Sequence, residues 1–467
     1  MIAYLKKLLP SVALLPFVAL VSCKKDFSDD NYVAYFGGEV INPKNNFVIL
    51  LKDDVVIDTI FLNAENRFFK KFDSLIPGMY TFKHEPEYQY IYFDKNDSIM
   101  LRVNTRDFDE SISFCGRGDE KNNFLVELFL KDESEKNVTF DYFELKPTSF
   151  IRKIDSMQKS KEDFYHKRKI VVEWGEDFDL FAKSSLDFSH YTRKEIYPVV
   201  HKIRTGVDVS DSLPKDYYKY RNIIDYNNEK LVAYSPFVRY LRQMMNNVTF
   251  YQFPSSSKNG VLEANIYKLN VADTLFKVNS VRDKMLRYIA HSYLLEDQNP
   301  SNNLAFFRRL NELVKDKKEI EEVNKIVKAV QNLKSGNELP EIMFVTPEGK
   351  SVNCKSVINN KSVVFFWTER AQSHLKSAYK KASEFQELKP NIRFIAINID
   401  DNQDKWIESL QSNSQNIITE MRVENFEELK EKWAITKLQR TIVTNHDGTI
   451  QNAFANLFDA EFKKELE

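Results

Sequence analysis

Lys361-Ser362-Val363-Val364-Phe365-Phe366-Trp367-Thr368-Glu369-Arg370-Ala371-Gln372-Ser373-His374 is the stretch on which the reading of this chain turns. Val363 to Phe366 are apolar on successive positions, the mark of a strand buried on both faces of a sheet. Trp367 closes the run. Beyond it Leu375, Ala378, Tyr379, Ala382 and Phe385 recur at the spacing of one helical face, so a helix is expected. Ile392–Ile399 then reads as a second buried strand ending at Asp400-Asp401, with a helix over Gln403–Leu410 after it. Upstream, the runs at 342–346 and 351–353 flank Pro347-Glu348-Gly349 as a hairpin. Downstream, the runs at 441–444 and 449–453 flank the tight-turn pair Asp447-Gly448, and 459–467 closes the chain as a helix. Residues 335–467 therefore read as one α/β unit of ordinary size.

That order of elements resembles the thioredoxin fold. Phe366-Trp367 resemble the Phe-Trp of Phe-Trp-Ala-x-Trp-Cys-x-x-Cys, the motif of TlpA/ResA-type thiol–disulfide oxidoreductases. Laid on the motif without gaps, its two cysteine positions fall on Ala371 and His374. In such chemistry a thiolate attacks, and a helix N-terminus lowers the pKa of the thiol placed there. Alanine has nothing to ionise. His374 is open to two readings, a base or metal ligand, or a half-buried polar residue on a helix that has lost its task; no partnering cluster accompanies it. The resemblance also implies a cis-proline facing the two cysteines, just before the penultimate strand. Gln439 occupies that position, and a trans bond is expected there because a cis bond before a non-proline costs about 3 kcal/mol.

At 467 residues the chain is long enough for two or three compact units. Met1–Lys7 carries two lysines, and the segment from Leu8 to Val21 is apolar apart from Ser11, too short to span a bilayer comfortably and suited to a signal-peptide core. It ends Leu20-Val21-Ser22-Cys23, which resembles a bacterial lipobox. That resemblance implies cleavage after residue 22, a lipidated Cys23, and a polar tether over 23–31. The early acids of the tether resemble surface-export tags of some Gram-negative lineages. The expected address is the cell envelope, lipid-anchored at the outer membrane and facing the periplasm or the cell surface.

Residues 32–117 carry short alternating runs at close, regular spacing, the pattern of a small β-sandwich. They resemble the N-terminal β domain of unknown function that precedes the thioredoxin-like domain in many envelope lipoproteins. Across 118–334 the period shifts towards that of helices, with charged positions opposite Phe, Tyr, Leu and Ile. The expected fold is thus multi-domain, α+β and α/β: an N-terminal β-sandwich, a helical middle region and a C-terminal thioredoxin-like domain.

The net charge of −1 gives no electrostatic case for nucleic acid. No His-x-x-His or Cys-x-x-Cys spacing announces a metal, and nothing announces a cofactor. After Cys23 only Cys115 and Cys354 remain. An oxidising envelope would let them pair, but neither lies at an expected helix N-terminus, and both read as small, partly buried hydrophobes. The leading reading is a membrane-anchored lipoprotein with a redox-inactive thioredoxin-like domain acting as a binding or structural module, towards an envelope protein, peptide or glycan. The alternative is an envelope thiol–disulfide oxidoreductase with a non-standard site. Tyr88, Tyr90 and Tyr92, alternating on one strand, suit either a peptide- or glycan-binding face or one covered by the helices.

Overall fold

Alternation of apolar and polar side chains builds the first eight strands into two four-stranded sheets. β1 (Ala34–Ile41), β4 (Arg67–Phe72), β7 (Ser98–Asn104) and β8 (Ser113–Arg117) lie in the order β4-β1-β7-β8. β2 (Phe47–Lys52), β3 (Val55–Phe61), β5 (Gly78–His84) and β6 (Glu87–Phe93) lie in the order β3-β2-β5-β6, and a helical turn α1 (Phe108–Ser111) precedes β8. The inward side chains of both sheets share one core. Phe36 of β1 meets Phe82 of β5 and Phe93 of β6 with ring centroids 6.0 and 5.6 Å away. This computed structural model describes residues 32–53, 55–253, 260–296, 299–413, 417–435, 437–459 and 461–467. The expected signal peptide, Cys23 and the tether over residues 23–31 lie outside the described residues.

β6 and β8 are sheet edges, whose unpaired main-chain groups need partners. Two successive asparagines near the start of α2 (Asp119–Ser134) supply them. Asn122, fully buried, accepts from the Tyr92 N–H (2.6 Å) and donates to the Tyr92 carbonyl (2.9 Å). Asn123 does the same for Phe114 of β8, at 2.9 Å in both directions. Each amide imitates a passing strand for one residue.

These strands and α2 form one compact unit with residues 164–182. Within it Tyr92 is buried against Phe178 and Phe181, whereas Tyr88 is exposed. The tyrosine face is therefore covered at one end only. Cys115 is exposed, not the partly buried side chain expected, because on edge strand β8 it points outward while its neighbour Phe114 points to the core.

The second unit comprises residues 135–163 and 183–467, so α4 (Pro147–Val172) and α5 (Glu176–Thr205) each contribute to both units. It also holds α3 (Lys136–Tyr142), α6 (Ser235–Phe250), α7 (Gly260–Leu275), α8 (Asn279–Glu296), α9 (Pro300–Leu313) and α10 (Glu321–Asn332). Within the region expected to be helical, residues 215–222 give only a 3-10 turn at Lys219–Asn222. Their tyrosines are claimed by α5: Tyr217 donates to the Lys194 carbonyl and Tyr220 to the fully buried Glu195 carboxylate.

The remaining strands form a seven-stranded sheet in the order β10-β9-β13-β12-β11-β14-β15. They are β9 (Met343–Val345), β10 (Ser351–Asn353), β11 (Ser362–Trp367), β12 (Arg393–Asn398), β13 (Thr419–Val423), β14 (Arg440–Thr444) and β15 (Ile450–Asn456). Between them run the helical turn α11 (Cys354–Val357) and the helices α12 (Gln372–Leu388), α13 (Gln403–Asn413) and α14 (Phe426–Trp433). β11 is central, parallel to β12 and antiparallel to β14. Val364 and Phe366 join one core with α10 and α14; Val363, Phe365 and Trp367 join another with α12 and α13. The C-terminal residues form a short 3-10 turn at Phe462–Leu466 in place of the expected helix.

Candidate functional site

The candidate site is the carboxyl end of β11, where an α/β sheet presents its loops to a ligand and where the motif resemblance places Ala371 and His374. All six residues of β11 are buried, so the strand holds the following loop on a rigid base. Asp400, just past β12, ties that loop down. Thr368 Oγ1 donates to its Oδ1 (2.6 Å), and the Glu369 N–H donates to its Oδ2 (2.8 Å). Asn398, itself fully buried, donates to the same Oδ2 at 3.1 Å.

Ala371 is the N-cap of α12 and offers no side-chain bond to the first turn. A Ser, Thr, Asp or Asn cap would add about 1 kcal/mol, so the helix opens here without the usual support. His374 lies in the first turn, half-buried. Its Nε2 is 3.1 Å from the Phe366 carbonyl, and a carbonyl only accepts, so Nε2 carries the proton. The ring also meets Phe458 edge-on at 5.5 Å. A histidine bonded in this way to β11 anchors its own helix. Gln439 is exposed and stands in a turn before β14. Glu85–Pro86 is the cis peptide bond among the described residues, so the bond before Gln439 is trans.

The two free thiols of the described residues lie elsewhere in the chain. Cys354 opens α11, a helix start that the sequence did not reveal, yet it is 1 % exposed and burial pushes its thiol above the ordinary value. Its Sγ is occupied at 3.4 Å by the Ile342 N–H. Cys115 belongs to the other unit, on β8. Among the described residues no cluster of three His, Cys, Asp or Glu side chains is placed to hold a metal ion.

Three residues that sequence reasoning passed over shape this end of the domain. Asp400 had a visible signal, an acid closing a buried strand beside a hydroxyl at the end of its neighbour. Arg440, 3 % exposed, donates to the carbonyls of Ala434 (3.0 Å) and Trp433 (3.2 Å) at the end of α14, and to that of Ala453 in β15. Burial pushes its pKa down to about 9, so it remains charged at neutral pH. Glu420 of β13 faces Tyr379 of α12, whose hydroxyl lies 2.8 Å from each carboxylate oxygen. Burial raises the Glu420 carboxyl to about 7.

Residues 359–450 match a family described as thioredoxin-like. The C-terminal domain is thioredoxin-like on that match. No curated protein is significantly similar to the chain. Among solved structures, one named as a thiol–disulfide oxidoreductase from Bacteroides vulgatus is 20 % identical over 29 % of this chain and 96 % of its own, with a TM-score of 0.26. One named as a thiol:disulfide interchange protein DsbE from Chlorobium tepidum is 11 % identical over 29 % of this chain and 96 % of its own, with a TM-score of 0.25. A thioredoxin-like protein from Bacteroides caccae is 12 % identical over 59 % of this chain and 92 % of its own, with a TM-score of 0.37.

Proposed function

We propose that this chain is an envelope lipoprotein, anchored through acyl chains on Cys23, whose thioredoxin-like domain is redox-inactive and serves as a binding or structural module. Ala371 at the N-cap of α12 carries the reading, because the position from which a thiolate would attack holds a methyl group. His374, bonded to the Phe366 carbonyl, offers no substitute nucleophile. The partner is an envelope protein, peptide or glycan, and the location is the outer membrane, on its periplasmic or outer face.

Purified residues 24–467 are expected to leave insulin disulfides intact: Cys354 is buried, and Cys115, though exposed, stands on a strand with no helix N-terminus to favour its thiolate. Robust reduction that Cys354→Ser abolishes would establish the alternative, an oxidoreductase with a non-standard site. The anchor is tested separately: radiolabelled fatty acid should enter the wild type and not Cys23→Ala. Equal labelling of the two would remove the anchor from the proposal. The several acyl chains of a bacterial lipoprotein hold stably where one holds marginally.

A further inference from the structure

The core beneath α12 contains an acid that meets no cation among the described residues. Glu420 is 9 % exposed and Tyr379 is 4 % exposed. A phenol has one proton, and it is shared here between two oxygens, each 2.8 Å away. With the carboxylate ionised, that single proton bonds one oxygen and leaves the other without a donor in an apolar layer, an expensive state. With the carboxyl protonated, Tyr379 donates to one oxygen while the second returns its own proton to the phenol. Two contacts of equal length fit the second arrangement.

Among the described residues the surroundings supply no compensating charge. Across β12 the residue in register is Ala396, and α12 and α13 contribute Ala378, Ala382, Trp406 and Leu410 to the layer. Phe365 and Trp367 of β11 pack against the Tyr379 ring. The charged group on the same face of β13 is Arg422, two residues on, whose Nη1 donates to the Val423 carbonyl. The shift of Glu420 accordingly has two causes, burial, which raises it, and the Tyr379 hydrogen bond, which lowers it.

We infer that Tyr379 and Glu420 form a proton-operated latch between α12 and the sheet, closed by a reciprocal pair of hydrogen bonds when the carboxyl is protonated and weakened when its proton leaves for water. The helix so held is the one that starts at Ala371, so external pH acts on the end of the domain where the loop tied by Asp400 lies.

The sign follows from the two protonation states. The folded carboxyl sits at about 7 against an ordinary value of 4.5, so the added stability is complete below the ordinary value and is lost as pH rises through about 7. Denaturant unfolding of the full chain should therefore show the folding equilibrium constant falling roughly 70-fold between about pH 5 and about pH 8. Glu420→Gln keeps the shape and one donor but cannot ionise; it should flatten that slope and make the protein more stable than wild type at the alkaline end. Amides of α12, corrected for the intrinsic pH dependence of exchange, should exchange faster in wild type than in Glu420→Gln at about pH 8. A slope unchanged in Glu420→Gln overturns the latch. If that variant fails to fold, the carbonyl stretch of a protonated carboxyl in the infrared spectrum of wild type at about pH 6 decides. Its presence there, and its retention at a higher wavenumber in Tyr379→Phe, which loses the hydrogen bond but keeps the burial, supports the pairing; a fully ionised spectrum from wild type overturns it.

Discussion

An intramolecular disulfide is expected to form when Ala371→Cys and His374→Cys are combined, and with it a weak reductase activity absent from the parent. The two positions are the N-cap and a first-turn residue of α12, one turn apart at the positive end of a helix. There the Cα separation needed for a bridge, about 4.4–6.8 Å, is within reach. The first thiol should titrate well below the ordinary thiol value of roughly 8.5. Removing the imidazole also frees the space beside Phe458. Activity should stay weak for two reasons visible in the fold. Asp400 holds the preceding loop through Thr368 and Glu369, and its negative charge opposes a thiolate nearby. Gln439, on a trans bond, presents no cis-proline edge to a substrate strand. Gln439→Pro, added to the two cysteines, should raise the activity if the turn accepts a cis bond. Thiol counting under oxidising conditions reads the first result directly, and two thiols that stay free would show that the motif has been laid on the wrong residues.

A second large effect is expected at Arg440. Its guanidinium joins the carboxyl end of α14 to β14 and β15 and stacks on Phe454 at 4.0 Å. Arg440→Met fills most of the volume and leaves the carbonyls of Trp433, Ala434 and Ala453 without this donor. No charge is left behind, so the cost is that of the stranded acceptors, about 1–3 kcal/mol each. Arg440→Met should lower the urea midpoint accordingly. Arg440→Lys should recover only part, because an ammonium lacks the planar fork that reaches three carbonyls. A midpoint for Arg440→Met within about 1 kcal/mol of wild type would mean that water takes over these bonds.

The strands easiest to read in the sequence were those whose partners are apolar. β11 is apolar on both faces and β12 nearly so, and both lie where their residues indicate. β13, which sits in the interior of the same sheet, was not legible. Thr419-Glu420-Met421-Arg422-Val423 alternates apolar with charged residues, a pattern that normally turns the charges to water. Here the charged side is covered by helices, and Glu420 is accommodated by Tyr379, forty-one residues earlier in the chain. α14 was missed with it, since its buried Leu429 and Trp433 stand among lysines and glutamates. At the site, Ala371, His374 and Gln439 are legible as departures from the motif that the stretch resembles, and Asp400 as an acid closing a buried strand, whereas Arg440 and Glu420 act through contacts that no local pattern encodes.

The asparagine pair at the start of α2 bears on where this chain can be cut. A ribosome finishes all eight N-terminal strands before it reaches the residues that close two of their edges. A genetic boundary drawn after residue 117, where the strand pattern stops, would release a module with β6 and β8 bare. Such edges invite pairing with other chains. Including residues 119–134 restores the clasp but still omits Phe164, Trp174 and Phe178, the rings that pack against Phe124. The portable module is therefore discontinuous in sequence, and grafting it elsewhere means carrying the intervening helices with it.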